Sequence, residues 1–225
     1  LDISTTRKKT FPIHGVMKIL KREVKAWNPT VMGEIAENKR DPFRVLISTV
    51  LSLRTKDECT SAASKRLFAI SSTPKKMLSL SREKIAKTIY PVGFYNIKAG
   101  NIKKICSILI EKYGGVVPDE IEELLTLPGV GRKTANLVVT IGYGKPGICV
   151  DTHVHRITNR WGYVKTKSPE KTEFALRKKL PRKYWIEIND LLVMYGKNRC
   201  TPVSPRCSEC PLEVYCRKVG VTRQR

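Results

Sequence analysis

Leu127-Pro128-Gly129-Val130-Gly131-Arg132-Lys133 is the stretch on which the fold turns. It separates two helical segments, Ile121 to Thr126 and Arg132 to Tyr143, by only a tight hairpin. Glycine permits backbone angles closed to a residue with a Cβ and lets another backbone come close. Pro128 stiffens the entry, and Val130 can point inward to pin the turn between the helices. The N–H groups around Gly129, Gly131 and Arg132 are then left at a helix N-terminus. Free donors with the helix dipole behind them make an anion site, and Arg132 places a charge beside it. Leu-Pro-Gly-Val-Gly alone reads as an ordinary helix–helix turn. The Lys133-Thr134-Ala135-Asn136 that follows gives it a second meaning.

Outward from the hairpin, helical signals dominate. Phe43 to Leu53 is an apolar run behind Asp41-Pro42, a cap followed by a first-turn proline. Ile102, Ile105, Leu109 and Ile110 recur at helical spacing until Gly114-Gly115 stops them. Ser168-Pro169 opens a helix running to about Leu180, and Tyr184 to Tyr195 reads as the next. Val116-Val117 and Ile148-Cys149-Val150 carry strand-forming residues but are short. The expected fold is all-α, with no internal repeat and with Leu1 to Thr10 and Val221 to Arg225 as disordered ends.

Charge narrows the partner. Lys and Arg number 43 against 20 Asp and Glu, a net +23 in 225 residues. A compact chain that cationic repels itself, so a polyanion is expected, nucleic acid being the commonest and an anionic membrane surface the rival. No apolar run approaches the roughly 18–20 residues of a spanning helix, and no secretory segment opens the chain. The expectation is a protein with no membrane partner, inside the cell, in the cytoplasm or nucleoid if the source is prokaryotic. Hydrophobic residues, at 41%, suffice for a packed core.

The seven cysteines divide unevenly. Cys59, Cys106 and Cys149 lie among apolar neighbours and read as small hydrophobes. Cys200, Cys207, Cys210 and Cys216 crowd into one segment, and four thiolates so placed can hold zinc or an iron–sulfur cluster. Only Cys207 and Cys210 form the close pair that zinc ribbons use twice, which mildly disfavours zinc. Two side chains ahead of them can carry chemistry, although Lys133 alone reads by default as a solvated lysine touching phosphate in so basic a chain. A neutral amine on Lys133 is a nucleophile able to form a Schiff base with a sugar carbon. Asp151, before the helix expected from Thr152 to Arg160, can stabilise an oxocarbenium-like sugar and also cap that helix. His153 and His155 are two apart, the wrong spacing for a helical metal pair.

Leu127-Pro-Gly-Val-Gly-Arg-Lys-Thr-Ala-Asn136, Val150-Asp-Thr-His153 and the four late cysteines together resemble the endonuclease III family of helix-hairpin-helix DNA glycosylases, from about Asp41 to Cys216. The resemblance implies two helical lobes with DNA in the cleft between them. A six-helix barrel with the hairpin would span residues 35–145, and residues 1–34 would join 146–225 in a cluster lobe. It further implies a [4Fe–4S] cluster on Cys200, Cys207, Cys210 and Cys216, structural rather than catalytic. Lys133 matches the nucleophile of members that both release the base and cut the strand, with Asp151 as its partner. The implied partner is double-stranded DNA carrying a damaged base or abasic site, bound by a monomer. Arg54, Phe94, Leu127, Gly129, Gly131, Arg132, His153 and Arg206 are the implied DNA contacts.

Arg54 and Phe94 would be the side chains that fill the gap left by an extruded nucleotide, where many members have glutamine and leucine. The loop Thr201 to Arg206 is less basic than the family pattern. Asp57 reads as structural support near the lysine. The implied activity is a bifunctional glycosylase and abasic-site lyase on oxidised pyrimidines. Uracil or thymine mispairs, oxidised guanine, and a non-catalytic DNA-binding module remain the alternatives.

Overall fold

The computed structural model describes residues 11–27 and 41–225, in which helices are the regular structure and no strand occurs. The expected start at Asp41-Pro42 is realised in α2, Pro42–Ser52, where the Asp41 carboxylate accepts from Phe43 N at 3.0 Å and Arg44 N at 3.1 Å. This answers donors that a helix start leaves open. It follows α1, Ile13–Glu23, and precedes α3, Asp57–Ile70. Two short helices come next: α4, Pro74–Ser79, and α5, Arg82–Ile89, capped by the Thr73 and Ser81 hydroxyls. The longest helix, α6, Tyr95–Tyr113, ends where the glycine pair was expected to end it. Gly114 takes φ +61 there, and Gly115 N–H reaches back to Leu109 O at 2.7 Å.

Around the hairpin the helices are shorter than their apolar patterns. The approach helix α7 is Ile121–Leu124, because its last turn tightens and Thr126 N–H returns to Glu123 O. Beyond the hairpin, α8 is Arg132–Leu137 and passes into a π turn, Val138–Gly142. Gly142 lies against α2 there, and a Cβ on it would stand 2.9 Å from Pro42 Cα. The remaining helices are α9, Thr152–Arg160, α10, Pro169–Lys179, and α11, Ile188–Asn198. The expected Tyr184 to Tyr195 helix is thus displaced. Arg182–Tyr184 is a 3₁₀ turn behind Pro181, and Trp185 Nε1 donates to Leu180 O at 2.8 Å, which ties the chain back before α11 begins.

Two apolar cores form. One is built by α2 to α8, with Leu46, Leu67, Ile85, Ile102 and Leu109 fully buried. The other joins α1 to α9, α10 and α11, with Met17, Leu20, Ile157, Leu176 and Leu192 at its centre. The chain crosses between them at Ile148-Cys149-Val150. Among the described residues no strand pairs with this segment, yet its side chains alternate as a strand's do: Cys149 enters the first core, Ile148 and Val150 the second. Cys106 is buried in the first core and Cys59 packs against it, as expected of small hydrophobes.

Val221 to Arg225, expected to be disordered, is held by the backbone. Arg225 N–H donates to Pro205 O at 2.8 Å, and Ser208 N–H donates to Arg225 O at 3.0 Å. Leu1 to Thr10 and the lobe boundary near residue 35 lie outside the described residues. Among the described residues no helix is long and apolar enough to cross a membrane.

Candidate functional site

A cavity of about 760 Å³ opens between the two cores, and both supply its walls. Ser52 and Asp57 come from the first, Arg132 and Lys133 from the hairpin, and Asp151, His153, Asn189 and Lys197 from the second.

The two hairpin glycines do different work. Gly129 has φ +77, a left-handed angle that a Cβ disfavours, and a Cβ there would meet Asn101 Nδ2 at 2.7 Å. Gly131 sits at φ −104, ψ 177, which any residue adopts, and a Cβ on it would meet nothing within 4 Å. Its openness therefore faces outward rather than into the fold. Val130 N–H closes the turn on Leu127 O at 3.1 Å, and both side chains are buried in the first core. Leu127 can thus offer a ligand only its backbone. Among the described residues the N–H groups of Gly129, Gly131 and Arg132 have no acceptor, so the donors of an anion site are in place.

Arg132 is not the free charge expected beside them. Its Nε and Nη2 donate to the Glu173 carboxylate at 3.1 and 3.0 Å, and its guanidinium lies over the Phe174 ring at 5.1 Å. Glu173 also accepts from Arg177 Nε at 3.0 Å and Asn136 Nδ2 at 3.2 Å. Burial pushes this carboxylate up, but the hydrogen bonds and charges of Arg132 and Arg177 outweigh it and leave it below its ordinary value.

Lys133 stands half-buried in the first turn of α8 and lines the cavity. Asp151 caps α9, its Oδ1 accepting from His153 N and Val154 N, both at 2.9 Å. That leaves Oδ2 without a protein partner among the described residues. One carboxylate thus both caps a helix and offers an oxygen to the cavity. His153 accepts at Nδ1 from Arg156 Nη2 at 3.1 Å. Burial pushes its imidazole below the ordinary value; Arg156, Lys197 and Lys133 act the same way, and Asp151 opposes them. Gly196 makes room for that ring, since a Cβ there would collide with Nδ1. His155 is turned to Thr172 Oγ1, 2.7 Å away, and shares no ligand geometry with His153. Asp57 pairs with Lys197 of α11, the structural support expected of it and a tie between the two walls.

Arg54 and Phe94 come together. The Arg54 guanidinium lies 5.7 Å from the Phe94 ring centroid, both residues have positive φ, at 54° and 58°, and Phe94 is 56% exposed. Phe94 is therefore not a core aromatic.

The four late cysteines ring a second, small cavity. Tyr195 Oη lies 3.0 Å from Cys210 Sγ, Arg160 Nη1 donates to Cys200 Sγ at 3.3 Å, and Lys218 N–H donates to Cys216 Sγ at 3.4 Å. Donors aimed at sulfur suit thiolates that share their charge with a metal cluster. Among the described residues no three His, Cys, Asp or Glu side chains converge on a single metal ion. A ring of sulfurs around a cavity fits a multi-atom cluster instead. Arg206, between the first two cysteines, is exposed.

Known proteins resemble this chain in sequence and fold. The family model for HhH-GPD superfamily base excision DNA repair proteins matches residues 47–182, and that for the iron–sulfur binding domain of endonuclease III matches residues 200–216. Endonuclease III of Thermotoga maritima is 54% identical over 176 residues, covering 78% of this chain and 83% of that protein. The chain belongs to the endonuclease III family. The chloroplastic endonuclease III homolog 2 of Arabidopsis thaliana is 45% identical over 193 residues, 82% of this chain, which spans only 50% of that longer protein. A structure described as a trapped endonuclease III–DNA covalent intermediate, an estranged-adenine complex, superposes with a TM-score of 0.78 at 37% identity, covering 91% of this chain and 95% of that one. As an endonuclease III family member the chain is a DNA-binding base-excision glycosylase with abasic-site lyase activity, and its cofactor is the iron–sulfur cluster that the family resemblance implied for the four late cysteines.

The sequence alone gave no role to four residues near the site. Lys98, Glu173, Asn189 and Lys197 take their roles from contacts across the fold. Asn189 is 8% exposed, lines the cavity, and has an Nδ2 without a partner. A polar residue on the inner face of a late helix was the only signal, and it is a weak one.

Proposed function

We propose that this protein removes oxidised pyrimidines from duplex DNA and cuts the strand at the site, acting as a monomer inside the cell. The observation that carries the reading is that Lys133, from the hairpin, and Asp151, from the start of α9, line one cavity of about 760 Å³. A base in a stacked duplex keeps its sugar out of reach, so the damaged nucleotide is extruded, at a cost of a few kcal/mol. The open hairpin around Gly129 and Gly131 holds the flanking phosphate, with His153 and Arg206 on the strand as well. Arg54 and Phe94 fill the gap. Arg132 acts by fixing the hairpin through Glu173.

Lys133 Nζ, as the neutral amine, attacks C1′ while the bond from C1′ to the base breaks. The free oxygen of Asp151 faces the positive charge that develops on the sugar. The base leaves with its bonding electrons and takes up a proton, and opening of the sugar ring gives the Schiff base. The iminium acidifies a 2′ proton; its removal expels the 3′ phosphate by β-elimination. Water then releases the unsaturated aldehyde and restores the lysine. Cys200, Cys207, Cys210 and Cys216 would hold the cluster, which orders their segment beside the DNA and enters none of these steps. The related structure described as a trapped covalent intermediate supports the Schiff base.

Borohydride trapping on duplexes with an abasic site or an oxidised thymine tests the reading, comparing wild type with Lys133→Ala. An adduct on both substrates that vanishes in the variant is expected. An adduct on abasic DNA alone would move the target to mispaired bases, and none at all would refute the lysine mechanism.

A further inference from the structure

Arg54 and Phe94 sit on loops, and loops alone would leave them loose. Each also holds a left-handed backbone angle, which a residue with a Cβ rarely adopts. Something must fix both. Lys98 lies one turn beyond Phe94 on α6, its N–H bonded to Phe94 O at 3.0 Å, and it is only 6% exposed. Its ammonium donates to Leu51 O at 2.7 Å, to Leu53 O at 2.5 Å and to Thr55 Oγ1 at 3.0 Å. Those acceptors are the end of α2 and both sides of Arg54. Thr55 Oγ1 also accepts from Gly93 N–H at 3.2 Å, the residue before Phe94. The two loops touch so closely that a Cβ on Gly93 would stand 2.6 Å from Arg54 O.

An ammonium has three donors, and all three are used here on one loop. If packing were the only need, a methionine would fill the same space without the cost of burying a charge. Burial pulls the Lys98 ammonium down to about 8.

We infer that Lys98 is the positioning residue of the wedge, clasping the Arg54 loop to the Phe94 loop so that both side chains enter the vacated stack as one unit. The inference rests on the glycosylase and lyase reading above. It concerns the filling of a gap, and a single strand has no gap to fill.

The test uses cluster-loaded full-length protein and one abasic sequence presented as duplex or as single strand. Lys98→Met is expected to slow single-turnover cleavage of the duplex ~10-fold or more and of the single strand less than ~2-fold. In a Phe94→Ala background the same substitution should add almost nothing, because the wedge is already gone. Equal losses on both substrates, or a full additive loss beside Phe94→Ala, would overturn the inference. Gly93→Ala forces the two loops apart without touching the charge and should give the same duplex-only loss even if Lys98→Met does not fold. 2-Aminopurine fluorescence beside the abasic site reads unstacking separately. A wild type that unstacks DNA without cutting it would overturn the lyase reading while leaving Lys98 measurable; a Lys98→Met protein that unstacks like wild type would overturn the clasp.

Discussion

Glu173→Gln removes one charge and almost no volume, and the structure says what that should cost. Glu173 belongs to α10, whereas Arg132 and Asn136 belong to α8, so the carboxylate joins the two cores. Its side chain is 3% exposed, and those of Arg132 and Arg177 are 27% and 26% exposed. Breaking a buried ion pair by removing one partner costs about 3–5 kcal/mol, because the other charge stays behind. Here both guanidinium groups reach water in part and glutamine keeps one acceptor oxygen, which brings the loss to roughly 2–3 kcal/mol. For a chain of this size that lowers Tm by about 5–10 °C.

Denaturation of cluster-loaded protein followed by helical circular dichroism measures it. Acidity supplies a second check. Glu173 is held below its ordinary value of 4.5, so its contribution is full above that pH and disappears as pH falls through the lowered folded value. The difference between wild type and Glu173→Gln should therefore be constant above about pH 5 and shrink in more acidic solution. A neutral-pH loss under ~1 kcal/mol, or a difference indifferent to acidity, would refute the reasoning.

The hairpin glycines should separate stability from binding. Gly129→Ala, forced to keep φ +77, is expected to cost about 1–2 kcal/mol in urea unfolding. Gly131→Ala should leave stability within ~0.5 kcal/mol and weaken duplex binding, read by anisotropy, ~5-fold or more, since its methyl group occupies the outward space. Asp151→Asn preserves an oxygen for the α9 cap and should unfold like wild type while base release drops ~100-fold or more; Asp151→Ala should lose a further ~1 kcal/mol of stability with the cap. Phe94→Gly relieves a left-handed angle of 58° at an exposed side chain, so melting should be unchanged or slightly raised while duplex cleavage falls.

Signals that reside in a few adjacent residues were legible in the sequence. Asp41-Pro42, Gly114-Gly115, the Gly129 turn, the Asp151 cap and the cysteine spacing are local chemistry, and each stands where the sequence put it. Contacts between distant residues were not legible. Arg132 looks like a free cation until Glu173, far along the chain, is folded onto it. Lys98 looks like one more solvated lysine in a basic chain until three acceptors are brought around it. The Tyr184 to Tyr195 pattern overran its start because apolar periodicity does not show that Trp185 is tethered to Leu180 O. Val221 to Arg225 looks loose because it is polar, yet backbone groups on Pro205 and Ser208 were waiting for it.

Ile148-Cys149-Val150 acts as a running stitch, each residue passing through the opposite side of the fabric. Its tolerance is consequently one of parity. A different apolar residue at any of the three positions changes how well a hole is filled. One residue more or fewer reverses the whole alternation, driving bulky side chains where a thiol fits and shifting the capped start of α9 against the first core. Length in this segment is therefore fixed more rigidly than identity, and the separation of lysine and aspartate along the chain is fixed with it.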